Sequence, residues 1–539
     1  MTSLPKRTTK RVPVVTADEA AALIVDGAIV TVSSSSGLGC PDLTLQAIGD
    51  RFRATGSPKA ITSLHPIAAG DMFGIKGIDH LAQPGLLAKV IAGSYPSGPS
   101  SMKPPLVRQM IDNNEIEAWN LPSGVMFQMH RAGATRQPGV FTKVGLDTFV
   151  DPRREGAAMN DITPSDLVRV ESLNDQEWLY YPALRPNVAI VRATTADEHG
   201  NLSSEHEGSP LGGLDQALAA HNNGGIVIAQ VKRLVKAGSI KPQHVRIPGV
   251  LIDAIVLAPD QMQTTEIHYD AALSGEILVP DGTIEPLPWG LEKILARRAA
   301  MELQSGWVVN LGFGLCSGVP RVLLEEGCSD AVTWVIEQGA VGGFPLTGSA
   351  FGCAHNPDAI VQSADQFSLF QGGGIDAACL SFMEVDTYGN VNVSLLPGRS
   401  HVSAGVGGFA DITSAAPRLI FVGHFNAGRK QINANDGTLE ISVDGTIPKF
   451  VHDVAQVTFS GRRAIETGQQ VTFVTERCVL ELRAEGLTVV ELAPGVDLKR
   501  HVLDATPIKL HVADDLRSMS NGLFSSQPFG LKLDRSSSW

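Results

Sequence analysis

The sequence predicts an α/β protein made of two similar open α/β/α domains with largely parallel sheets, arising from an internal duplication. Three observations predict it. Apolar, β-branched runs alternate with helical stretches, the layering that builds parallel sheets covered by helices. The chain resembles itself at two separate landmarks. Its 539 residues exceed what one hydrophobic core usually serves.

Taken in order, Ala17–Val25 reads as a helix and Ala28–Val32 as a strand. Further strands follow at Ala189–Ala193 and Gly225–Val231, then Trp307–Asn310 and Leu419–Phe425, with a second long helix over Leu291–Gln304. Their Val and Ile content and their spacing suit buried parallel strands. The repeat shows first in Gly27-Ala-Ile-Val-Thr, which runs to Gly39-Cys40-Pro41, against Gly306-Trp-Val-Val-Asn, which runs to Gly318-Val319-Pro320; the offset is 279 throughout. A later pair, Asp197-Glu-His-Gly-Asn201 and Asp386-Thr-Tyr-Gly-Asn390, has an offset of 189. The first half therefore carries about ninety extra residues between the landmarks. The turn-rich stretch Pro280–Pro288 suits a linker, which gives an N-terminal domain over 1–284 with the insertion and a C-terminal domain over 285–539.

Composition excludes several classes. Apolar residues make up 43% and charged residues 18%, as in globular enzymes and unlike disordered chains. No run approaches eighteen apolar residues, so no membrane span is expected. The basic start, Met1–Arg11, lacks an apolar core and reads as a frayed tail rather than a secretion signal. Six scattered cysteines without a CxxC pair suggest reduced thiols and a cytoplasmic location. A net charge of −13 opposes nucleic-acid binding.

In each half an apolar strand runs into a glycine-containing loop, with a proline where a helix should begin. The second-half version is Asn310-Leu-Gly-Phe-Gly-Leu-Cys-Ser-Gly-Val-Pro320, with Gly327 at the helix stop. Such loops expose amide hydrogens and favour an anion. The next strand, Val332 to Ile336, ends in Glu337, and Gly339, Gly342 and Gly343 follow. At the carboxyl end of a parallel strand, a side chain faces the crevice where open α/β sheets bind ligands. Three roles fit Glu337: a solvated strand-end carboxylate, the ribose ligand of a dinucleotide fingerprint begun by Gly312 and Gly314, or a covalent nucleophile. Against the second, the third fingerprint glycine is misplaced, with Ser317 at its position.

The segment Glu337-Gln-Gly-Ala-Val-Gly-Gly-Phe-Pro resembles the catalytic segment of family I CoA-transferases, and the likeness extends along nearly the whole chain. It runs through His65-Pro-Ile-Ala-Ala-Gly-Asp, Asn113-Asn-Glu-Ile-Glu-Ala, Thr148-Phe-Val-Asp-Pro-Arg153, Val191-Arg-Ala-Thr-Thr195, His221-Asn-Asn-Gly-Gly225 and Arg246-Ile-Pro-Gly249. It continues in Gly372-Gly-Gly-Ile-Asp376, Gly389-Asn-Val-Asn-Val-Ser394 and Gly405-Val-Gly-Gly-Phe-Ala-Asp-Ile412. Together these resemble the acetate/propionate branch, in which both halves are fused in one polypeptide.

The resemblance implies that Glu337 carries CoA as a thioester. It also implies a ping-pong exchange of CoA between a short-chain acyl-CoA and a free carboxylic acid. It places Gly37, Gly39, Gly314 and Gly318 beside the acyl site and Gly405, Gly407 and Gly408 under the CoA moiety. Asn390 joins them, though its repeat twin Asn201 suggests a turn role. Relatives commonly have Pro-Gln-Gly where this chain has Pro122-Ser123-Gly124. The shorter Ser123 leaves room in the acyl pocket and favours a larger or differently polar acid; Tyr95-Pro-Ser-Gly-Pro-Ser100 departs from an acetate enzyme as well. No permanently bound cofactor and no metal are expected, CoA being substrate and covalent intermediate, and the family's habit favours a homo-oligomer. His199, Glu205, His206 and Glu207 cluster on one loop but lack the frame of a metal site. His65, the repeat counterpart of Glu337, either faces the same cleft or is a hydrogen-bonded strand-end residue. An acyl-CoA hydrolase of the same fold, a nicotinamide dehydrogenase and an acyl-CoA-binding sensor are the competing readings.

Overall fold

The structure is a computed structural model that describes residues 11–533; the basic residues Lys6, Arg7 and Lys10 of the expected tail lie outside that range. The first half forms a sheet from β1 (Val14–Val15), β2 (Ile29–Val32), β3 (Ile61–His65), β4 (Leu87–Ala92), β5 (Glu117–Asn120), β6 (Val188–Asp197), β7 (Ile226–Val235) and β8 (Ala254–Leu257). Its spatial order is β1-β8-β7-β6-β2-β3-β4-β5, all parallel. The second half uses β9 (Val308–Leu311), β10 (Thr333–Val335), β11 (Ala340–Val341), β12 (Ala359–Ile360), β13 (Ala377–Ser381), β14 (Arg418–Val422), β15 (Gln470–Val474), β16 (Cys478–Arg483), β17 (Gly486–Leu492) and β18 (His511–Ser518). Their order is β12-β11-β10-β9-β13-β14-β15-β16-β17-β18.

The duplication is explicit in this topology. The parallel core β3-β2-β6-β7-β8 of the first sheet and β10-β9-β13-β14-β15 of the second follow the same order in the chain and in space. All ten residues of β6 are buried, the apolar Val188–Val191 and the polar Arg192, Thr194, Thr195 and Asp197 alike, as in a parallel strand covered on both faces. The second landmark matches bond for bond. Asn201 donates through Nδ2 to Asp197 (3.0 Å) and accepts from the Gly249 amide (2.9 Å). Asn390 donates to Asp386 (2.8 Å) and accepts from the Gly461 amide (3.0 Å). The extra residues of the first half form β4, β5 and a separate three-stranded sheet over Gly139–Thr142, Arg169–Leu173 and Gln176–Pro182. In the second half the chain instead turns back beside β10 as the antiparallel β11.

Helix limits follow their caps. In α1 (Ala17–Ala22) the Thr16 hydroxyl accepts from the Glu19 amide, and the Glu19 carboxylate accepts from the Thr16 amide, a reciprocal N-terminal cap. After Pro41, α2 (Asp42–Thr55) stops at Gly56 in the left-handed region, φ 72°. Further on lie α3 (Ser123–Ala134) and α4 (Leu291–Ala300), the latter one turn shorter than the sequence suggests. They are followed by α5 (Val319–Glu325), with Pro320 in its first turn, α6 (Ser363–Gln371) and α7 (Phe409–Thr413). Strand β14 also ends early, at Val422, because the Phe425 amide turns to the buried Glu476 carboxylate (2.9 Å).

Candidate active site

Glu337 stands just past β10, at the start of the turn into β11. The Ile336 amide donates to Ala340 and the Gly339 amide to Ile336, both at 2.9 Å. Gly339 closes this turn at φ 124°, and a Cβ there would lie 2.0 Å from the Val361 carbonyl oxygen, so only glycine fits. Three elements fix the turn. The Gln338 carbonyl accepts from the hydroxyls of Ser209, in the first half, and Ser363, at the start of α6. The Gln338 side-chain amide donates to the Ser35 hydroxyl (3.3 Å) and to Glu337 Oε1 (3.0 Å).

The segment facing Glu337 is Gly405–Gly408, which is sewn to the first half. Asn120, at the end of β5, accepts from the Val406 amide (2.7 Å) and donates to the Gly93 carbonyl (2.7 Å). Gly407 donates to Gly93 (2.8 Å) and accepts from the Ser123 amide (2.9 Å). Gly405 adopts φ 100°, and a Cβ would meet Asn120 Oδ1 at 2.5 Å. Gly408 approaches the carboxylate itself: a Cβ there would lie 2.2 Å from Glu337 Oε2 and 2.7 Å from the Phe367 ring. The glutamate is thus held where the two halves meet, half-buried as a residue and with its carboxylate desolvated.

Its electrostatics follow from that enclosure. Burial pushes Glu337 up from 4.5 to about 7, and the Gln338 amide and the Gly408 backbone N–H offset only part of the rise. Asp411, one turn after Gly408, is also driven up to about 7, first by burial and further by the Glu337 charge. Among the described residues neither carboxylate has a Lys, Arg or His ion-pair partner, and no cation is among the main causes of either shift. A carboxylate desolvated but not neutralised by a cation is a reactive nucleophile.

These features have relatives. Residues 14–258 match the Coenzyme A transferase family. The chain is 38% identical over 535 residues to the Acetate CoA-transferase YdiF of Escherichia coli (strain K12), covering 98% of each. It is 40% identical over 522 residues to the Caffeate CoA-transferase of Acetobacterium woodii, covering 96% of this chain and 98% of that one. The chain belongs to the coenzyme A transferase family. Solved structures agree: the acyl-CoA transferase YdiF of E. coli O157:H7, both as apoenzyme and as a thioester complex with CoA, superposes with a TM-score of 0.91 at 36% identity, covering 99% of this chain and 100% of that one.

This CoA-transferase brings together only some of the residues its sequence singles out. Glu337 and the Gly405–Gly408 segment lie together where the halves meet, and Ser123 joins them through its amide on the Gly407 carbonyl. Ser123 begins α3, is fully buried, and its hydroxyl has no hydrogen-bond partner. The first-half loop reaches the site through Ser35, while a Cβ at Gly37 or Gly39 would strike Thr265 or Leu211; these two glycines shape the loop. Gly314 and Gly318 pack against Ser381 and against Leu287 and Ala296 respectively, so contact with neighbouring elements accounts for their lack of a side chain. Asn390 is engaged in the turn it shares with Asn201. His65 is buried edge-on to Tyr95, centroids 5.8 Å apart, and burial lowers its pKa to about 4, leaving it neutral. Of the acidic loop, Glu207 pairs with Arg192 (2.9 Å), Glu205 with Arg233 (2.7 Å), and His206 stacks on Tyr269. Phe367, beside Gly408, carries no sequence signal as a site residue, whereas Gln338, Gly124 and Asp411 stand inside the family-like motifs without a role of their own.

Proposed function

We propose that Glu337 is the nucleophile of a double displacement that passes CoA from a short-chain acyl-CoA to a free acid. The observation that carries this reading is a desolvated carboxylate between the halves that, among the described residues, accepts from amides and has no ion-pair partner, in contact range of the Gly408 backbone. Its oxygen attacks the thioester carbonyl and the C–S bond breaks with its electron pair leaving on sulfur. An acyl–glutamyl anhydride and CoA thiolate result. The thiolate then attacks the glutamyl carbonyl, expels the first acid as carboxylate, and leaves CoA as a thioester on Glu337. The incoming acid reverses the two steps. Each tetrahedral stage places negative charge on an oxygen, where a preset amide donor is worth roughly 3–4 kcal/mol. The Gly408 N–H and the Gln338 side-chain amide are the donors at hand. The rest of CoA supplies binding energy that presses the thioester against the glutamate.

The Ser123 that stands where relatives carry Gln, with its amide on the Gly407 carbonyl, supports an acid larger or differently polar than acetate; a homo-oligomeric cytoplasmic enzyme fits the family's habit. Steady-state kinetics test the scheme. Parallel double-reciprocal lines are expected for acyl-CoA against acceptor acid, and Glu337→Asp should cost about 10²-fold, because a displacement near 1 Å spoils the attack geometry. Intersecting lines with full activity in Glu337→Asp would reject it.

A further inference from the structure

Behind Glu337 a chain of polar side chains crosses from one half to the other. Asp411, fully buried on α7, accepts from the Gly124 amide through Oδ2 (2.9 Å) and from Gln371 Nε2 through Oδ1 (2.7 Å). Gln371, at the end of α6, accepts in turn from Gln128 Nε2 (2.5 Å). Gly124 and Gln128 are one turn apart on α3, so a first-half helix is fastened at two levels to two second-half helices. The approach is close: a Cβ on Gly124 would lie 2.7 Å from Asp411 Oδ1 and 2.8 Å from Phe367 Cβ. Ser123 immediately precedes Gly124, and Gly408, against Glu337, is one turn before Asp411. The fastening itself does not need a charge. A neutral acceptor would hold the Gly124 amide without the penalty of burying a carboxylate that has no cation partner.

We propose that Asp411 is a positioning residue for the chemistry at Glu337: it holds the amino end of α3, with Ser123, over the cleft and keeps a second carboxylate near the nucleophile. The inference rests on the glutamyl-thioester reading. The Glu337 charge pushes Asp411 up; the interaction is mutual, so an ionised Asp411 opposes ionisation of Glu337, and the repulsion is relieved when Glu337 becomes a neutral anhydride or thioester. The groups facing Asp411 are Glu337 beyond β10, the Gly124 amide and Gln128 on α3, Gln371 on α6, and Tyr181 of the three-stranded sheet, whose phenol donates to the Val144 carbonyl (2.7 Å). None is a cation. Glu337 and the Tyr181 phenol are the ionisations coupled to the charge at 411, and Tyr181, raised well above its ordinary range, lies far from the acid limb.

The test is the pH profile of kcat/KM in Asp411→Asn, which keeps the shape and an acceptor for Gly124. Glu337 attacks as carboxylate, so activity falls as pH drops through its pKa. In the variant this acid limb should move at least half a pH unit lower, with kcat reduced about tenfold and the KM of the acid altered less. An acid limb unmoved from wild type would overturn the inference, whatever happens to the rate. If the variant does not fold, carbon-13 titration of the Asp411 carboxyl in wild type and Glu337→Gln gives a second measure. Asp411 should ionise at lower pH in Glu337→Gln, and an unchanged titration would overturn the coupling. A wild-type protein without CoA transfer would instead remove the thioester reading on which the inference rests.

Discussion

Glu337 accepts an amide from its own neighbour, Gln338, and lies against the backbone of Gly408, a residue 71 positions further along the chain. The first relation is visible in the sequence only as adjacency; the second was signalled by the glycine-rich motif but not by any local pattern. Ser123 is the residue at which a selectivity role is proposed. Its hydroxyl is buried without a partner, and the backbone around it is fixed by the Gly407 carbonyl. Ser123→Gln, a longer side chain beside the Gly407 backbone, should crowd the proposed acyl site and shift preference toward the smallest acids. The kcat/KM ratio of acetate to a four- or five-carbon acid is expected to rise about tenfold, the effect of one or two methylenes' worth of pocket space. An unchanged acid profile would remove Ser123 from selectivity. Asp411 could not have been assigned from sequence, because its partner Gly124 is 287 residues away and a buried aspartate has no period of its own.

At the scale of elements, the long apolar strands and the proline- and glycine-marked helix ends were legible, since burial on both faces and cap geometry leave direct marks on residue choice. The two-residue strands β11 and β12 were not: Ala340–Val341 and Ala359–Ile360 are too short to carry a period. Yet they form the edge beside which Glu337 is presented. The Gly405–Gly408 loop is the element on which the site depends most. Gly408 has φ −84°, a conformation any residue adopts, so Gly408→Ala tests contact rather than backbone strain. Its methyl would overlap Glu337 Oε2 and the Phe367 ring. We expect about 10²-fold loss of kcat with a destabilisation of only about 1–3 kcal/mol, read by turnover and thermal unfolding of the same preparation. Wild-type turnover would show that Gly408 does not constrain the carboxylate.

For the whole molecule, the repeat predicted two similar sheets, and the shared strand order β3-β2-β6-β7-β8 and β10-β9-β13-β14-β15 displays them. How the halves meet was not legible, because it depends on backbone pairings between distant segments. Tyr95 donates to Ala404 (2.8 Å), Gly98 to His401 (3.0 Å) and Phe149 to Val457 (2.8 Å). That meeting buries two carboxylates, which links stability to pH. Both groups have folded pKa values above the unfolded ones, about 7 against 4.5 for Glu337 and 3.8 for Asp411. Between those limits the native state binds more protons than the unfolded chain, so stability falls as pH rises toward and through 7. Glu337→Gln should accordingly gain stability over wild type at pH 8 and lose that advantage near pH 4, in denaturant titrations at the two pH values. An equal difference at both would mean that the site does not strain the glutamate.

The most direct measurement of the central claim is intact mass after incubation with acyl-CoA and no acceptor acid, followed by peptide mapping. A CoA-sized increment on the peptide that contains Glu337, lost on adding acid and absent from Glu337→Gln, is the predicted result. Rapid CoA transfer with no such adduct, or with the adduct on another peptide, would contradict it.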